Sequence, residues 1–109
     1  MADKQRTIGF PGVSAAEANR AAASLSEALR DIDPTVSVET VRDRPDAQDF
    51  GATLVLVLGT ASISALSKGI SSWIARSGTK LEITEDGHVL ATGLDSKDVA
   101  KIAEALGKH

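Results

Sequence analysis

The sequence predicts one α+β domain: a single small sheet of about four strands with three helices, in the order strand, helix, strand, long helix, strand, strand, helix. Three observations carry that prediction. A capping box opens an amphipathic stripe early in the chain. An Asp-Gly pair separates two alternating runs late in it. The composition, 109 residues with 42% hydrophobic and 25% charged, suits one core, so residues 1–109 are read as a single domain.

The elements follow in order. Residues 5–10 form a short apolar-leaning run that ends in Gly9-Phe10-Pro11-Gly12, a first strand entering a loop. Ser14 with Glu17 fits the capping box, in which hydroxyl and carboxylate satisfy backbone donors at a helix start. Ala18, Ala22, Leu25, Leu29 and Ile32 then recur at alternating steps of four and three, one stripe of a helix that Asp33-Pro34 ends. From residue 35 to 42 the chain is β-branched and alternates, with Val36, Val38 and Thr40 on one side, a second strand.

Residues 43–48 are charged and contain Pro45, an exposed connection. The run 50–67 that follows carries no charge. Leu54, Leu58 and Ala61 continue one helical stripe and Ile63, Leu66, Ile70 and Trp73 or Ile74 another, which favours a long helix over residues 46–76 with a bend near Gly59. The competing reading makes residues 53–58 a buried strand, since Leu-Val-Leu-Val-Leu fits both. Residues 79–85 and 88–92 alternate around Asp86-Gly87, a favoured hairpin turn because both central positions accept positive φ. Asp95 or Ser96 caps a last helix with Val99, Ile102, Ala103 and Leu106 inward and Gly107 closing it.

Function is approached first by exclusion. The formal charge of −3 disfavours nucleic-acid binding, which needs a basic surface over phosphates. The chain has no cysteine, which removes disulfides, thiolate catalysis and Cys-ligated zinc. Two histidines, His88 beside a turn and His109 at the end, give no metal or acid–base constellation, so no catalytic residue, metal ligand or cofactor is assigned. Lys4, Arg6, Arg42 and Arg44 sit among aspartates and read as solvated positions. Residues 1–6 are polar and do not begin a signal peptide, which makes a cytoplasmic location the expectation.

Three features could bind something. Thr60, Ser64, Ser67 and Ser71 fall on one helical face that leads to Trp73; small residues admit a second helix closely, so this seam is a candidate surface for a protein partner or for self-association. Its alternative is an internal packing face. Residues 9–12 before the helix start at Ser14 could hold an anion, although neither a P-loop nor a full G-x-G-x-x-G is present. The uncharged run reaches the lower edge of a membrane span, but its Ser, Thr and Gly content argues against a membrane.

The second half resembles the effector-associated constant component family of bacterial conflict systems. The resemblance lies in Leu54-Val55-Leu56-Val57-Leu58-Gly59, Ala65-Leu66 and Ser72-Trp73-Ile74-Ala75-Arg76, and continues in Leu81-Glu82-Ile83-Thr84, Asp86-Gly87 and the last helix. Family members carry several arginines after the Trp, whereas Arg76 and Lys80 stand here. The resemblance implies a non-enzymatic adaptor or scaffold acting through protein–protein contacts with an effector component. The alternatives are a small-molecule or nucleotide-binding regulatory domain at residues 9–14, and a membrane-associated component using residues 51–66.

Overall fold

A computed structural model of the chain describes residues 5–41, 53–58, 63–85 and 88–107. Eight elements run in the order β1 (Gln5–Gly9), α1 (Ala15–Ile32), β2 (Ser37–Val41), β3 (Thr53–Val57), α2 (Ile63–Ser77), β4 (Leu81–Glu85), β5 (His88–Leu94) and α3 (Val99–Gly107). The strands form one five-stranded sheet in the order β2-β3-β1-β4-β5, antiparallel at every pairing. In β1-α1-β2 the two strands are separated by β3, and in β3-α2-β4 they are separated by β1. Two split β-α-β units therefore interlock, the connectivity of the ferredoxin-like motif. The β4–β5 hairpin and α3 extend it.

The α+β class, the three helices and the order of the outer elements are as the sequence predicts. The long helix over residues 46–76 is corrected. Residues 53–57 are a strand, α2 begins only at Ile63, and the sheet has five strands instead of about four. The expected bend at Gly59 lies outside the described residues. The physical reason is non-local. Leu54, Leu56 and Leu58 are buried on one face of β3, and its backbone is paired to β2 on one side and β1 on the other. A helix there would leave β2 without a ladder and one side of β1 unpaired, and buried backbone groups need partners.

α1 begins where the capping box placed it, with Ser14 Oγ accepting the Glu17 backbone N–H at 3.2 Å, the serine half of the box. It ends at Asp33, whose N–H donates to the Leu29 carbonyl and whose carboxylate accepts the Thr35 N–H and hydroxyl. Ala18, Ala22, Leu25 and Leu29 are fully buried, with Ile32 only partly so. In β2 the inward set stops at Val38, because Thr40 is exposed. β4 and β5 form the expected hairpin, while its Asp86-Gly87 turn falls outside the described residues. Gly93, at φ +63°, takes the backbone through a register shift between Ala91 and Leu94 that a residue with a Cβ enters only with strain.

All three helices cover the same face of the sheet. Ile8, Phe10, Leu54, Leu56, Leu81 and Ile83 pack there against Leu25, Leu29, Leu66, Ile70, Trp73, Ile102 and Leu106, an aliphatic core with few rings. Trp73 bridges the helices: its indole N–H donates to Ser24 Oγ of α1 at 2.9 Å, and its ring lies 6.1 Å from that of Phe10 at 56°. α1 and α2 approach closely at Gly69, where a Cβ would overlap the end of the Ile32 side chain.

Candidate interaction surface

The residues singled out on the small-residue seam do not share one surface. Thr60 lies outside the described residues, and Ser64 is exposed. Ser67, Ser71 and Trp73 are buried. Ser67 Oγ donates to the Ile63 carbonyl one turn back, and Ser71 Oγ donates to the Ser96 carbonyl at 2.6 Å, tying α2 to the loop before α3. Their hydroxyls are used inside the fold. The uncharged run is divided between β3 and α2, and among the described residues no helix is long and apolar enough to cross a membrane.

Arg6 corrects a second expectation. Its side chain is entirely buried, because it alternates with Ile8 and Phe10 on the helix-covered face of β1. Nε donates to the Ala105 carbonyl in the last turn of α3 at 2.9 Å, and Nη1 donates to the Gln5 carbonyl and to Glu85 Oε2 at 2.8 Å. The guanidinium thus satisfies a helix-end carbonyl and joins β1, β4 and α3, where a cation also complements the helix dipole. Lys4, Arg42 and Arg44 lie outside the described residues.

The start of α3 is held by reciprocal bonds between two carboxylate residues. Asp95 N–H donates to Asp98 Oδ2 at 2.9 Å, Asp98 N–H donates to the Asp95 carbonyl, and Lys97 N–H donates to Asp95 Oδ1. The expected cap at Asp95 or Ser96 is corrected: α3 begins at Val99, and Asp98, whose carbonyl accepts the Ile102 N–H, stands at the cap position, while Asp95 and Ser96 belong to the turn before it. The Asp98 carboxyl titrates below the ordinary aspartate range. The bond from the Asp95 backbone is the main cause; partial desolvation opposes it, and Lys101, with Nζ 3.8 Å away, assists. A depressed folded value stabilises above the unfolded value, near ~3.9 for aspartate, and is lost as pH falls through the folded one. An NMR titration should find the Asp98 midpoint below that of a free aspartate. Acidification through that midpoint should loosen the first turn of α3, and in Asp98→Asn this pH dependence should vanish.

Among the described residues, no helix lies on the other face of the sheet. Its side chains line up in registered rows. Glu39, Val55, Thr7, Thr84 and Val89 stand opposite one another from β2 through β3, β1 and β4 to β5, a row about 20 Å long at normal strand spacing. Ser37, Val57 and Gln5 form a shorter row beside it. Val89 is 56% exposed and Val41 is 40% exposed, both large for apolar side chains. The charged residues at these strand positions are Glu39 and Glu82, and neither makes an ion pair or a side-chain hydrogen bond among the described residues. Lys80, just before β4, makes none with Glu82.

Both sheet edges are blunted. On β2, Arg30 of α1 reaches over and donates through Nη2 to the Val38 carbonyl at 2.9 Å. On β5, two register shifts and Gly93 break the regular ladder that an added strand would need. These are devices that disfavour edge-to-edge pairing.

At one end of the uncovered face lies a cavity of about 300 Å³ lined by Gly9, Phe10, Pro11, Gly12, Val13, Thr53 and Glu82. Gly9, one of its lining residues, lies directly opposite Glu82 on β4 and beside Thr53 on β3. This is the loop that could hold an anion by sequence, but Glu82 places a carboxylate in its wall. Among the described residues no group of three or more His, Cys, Asp or Glu is arranged to hold a metal; His88 is exposed, and His109 lies outside them.

The architecture defines a small α+β domain with helices on one side of an antiparallel sheet and a weakly charged, uncovered face on the other. No family model, curated protein or solved structure matches the chain.

Proposed function

We propose that the chain is a non-enzymatic adaptor or scaffold domain of a bacterial conflict system, and that it works by docking a protein partner on the uncovered sheet face. The observation that supports this most is the registered row from Glu39 to Val89, with two exposed valines and two glutamates that make no ion pair among the described residues. Uncovered sheet faces with aligned β-branched side chains offer contact area at low conformational cost. The blunted edges favour the face over strand addition. The resemblance over residues 54–59 and 72–76 supplies the conflict-system context and an effector component as the partner, and the polar residues 1–6 the cytoplasmic location.

The experiment compares co-purification from native cells by the wild type, Val55→Lys and Ser64→Glu. Val55 lies opposite Glu39, so a lysine there gains an opposite-charge neighbour across the strands and the fold is retained. The expected result is a partner retained by the wild type and Ser64→Glu and lost by Val55→Lys. A partner retained by Val55→Lys, or none with the wild type, overturns the reading.

A second reading, a small-ligand regulatory domain, is favoured by the cavity at Gly9. The carboxylate of Glu82 turns its preference from anions to cations.

A further inference from the structure

We propose that the notch at Gly9 receives one arginine or lysine side chain of the protein that docks on the uncovered face. This rests on the reading of that face as the docking surface, and it specifies the partner's chemistry.

Gly9 itself is the first argument. It lies at the end of the central strand with φ outside the positive region, so its backbone does not require glycine. Among the described residues a Cβ built on it meets only Thr53 Cγ2, at 3.9 Å, which is ordinary contact. Packing does not require glycine either. Glycine inside a strand weakens it, and it recurs where a ligand or another backbone comes close. The missing side chain leaves open space in a notch lined also by Thr53, Glu82, Pro11 and Val13.

The chemistry of the walls is the second argument. Pro11, Val13, Phe10 and the Thr53 methyl suit an aliphatic stem, and Glu82 has a carboxylate with no partner among the described residues. A cavity of about 300 Å³ has room for one such side chain. A long cation that buries its methylenes and presents its charged end to a carboxylate fits both features. The strand positions of the uncovered face carry glutamates and no Lys or Arg, so a second copy docked face to face would bring like charges together. Charge complementarity selects a basic partner.

The test uses N-acetyl-arginine amide as the probe, titrated into the 15N-labelled protein and read by amide shifts. Saturable shifts are expected at Gly9, Gly12, Val13 and Glu82, with residues of α2 and α3 unmoved. Glu82→Gln should weaken binding by about tenfold or more, as should the neutral N-acetyl-citrulline amide, since a charge-assisted bond is lost. Gly9→Val places a β-branched residue in an extended strand with room for it. That variant should melt at or above the wild-type temperature and lose probe binding. The inference is overturned by no shifts up to about 50 mM probe, by shifts elsewhere, by equal binding of the citrulline probe, or by binding that survives in folded Gly9→Val. The docking reading is separately readable: loss of the partner in Val55→Lys with an inert notch overturns only this inference. Probe binding at the notch with a partner that ignores Val55→Lys overturns the docking face.

Discussion

Arg6→Ala should lower the unfolding free energy by about 3–4 kcal/mol, chiefly through the cavity left by a fully buried side chain and the loss of a buried carbonyl's donor. Three losses combine. The Ala105 carbonyl at the end of α3 loses its donor, Glu85 loses its cation, and a cavity opens between β1 and α3. Against a typical total of about 5–15 kcal/mol, that is a large share, and the melting temperature should fall by roughly 15 °C or more. Two companion variants separate the contributions. Arg6→Met keeps most of the volume and should cost less than Arg6→Ala. Glu85→Gln should cost only about 1 kcal/mol, because its side chain is 36% exposed and water screens the charge. If Arg6→Ala unfolds in denaturant with an unchanged midpoint, the buried position of Arg6 is wrong.

Trp73→Ala should cost a similar amount, about 3–5 kcal/mol, through the void left between α1, α2 and Phe10. The hydrogen bond is a smaller part. Trp73→Phe retains ring packing and loses the indole donor to Ser24, and should cost about 1–2 kcal/mol. Ser24→Ala combined with Trp73→Phe should add little to Trp73→Phe alone, since both remove one bond. Denaturant unfolding followed by circular dichroism gives all these values. Full additivity in the double variant would mean that the two side chains do not interact.

What the sequence made legible was local. The capping box at Ser14, the α1 stripe, the β4–β5 alternation and the α3 stripe are set by residues within one or two turns of each other, and these elements appear where periodicity placed them. The run over residues 50–67 has no charge to mark a face and no proline to break it, so its apolar positions satisfy two periods at once. Pairing with β1 and β2 decided in favour of a strand, and that depends on residues far away in the chain. Arg6 failed for the same reason. Its partners, Glu85 and Ala105, lie 79 and 99 positions away. The available signal was the alternation Arg6, Ile8, Phe10, which places the arginine on the apolar side of its strand. The seam on α2 was periodic in the manner of an interface, but periodicity alone does not say whether the neighbour is inside the chain or outside it. Here Ser67, Ser71 and Trp73 are bonded within the fold.

The uncovered sheet face could not be read beforehand, because it exists only once five strands are in register with the three described helices on the other side. Its importance as the working surface is the central claim, and site-resolved photocrosslinking in native cells addresses it most directly. A photoreactive amino acid is placed singly at Val55 on the sheet face, at Ser64 on α2, or at Arg20 on the exposed side of α1. The account predicts a discrete protein adduct from position 55, absent from positions 64 and 20. Adducts from either helix position with none from position 55 would contradict it.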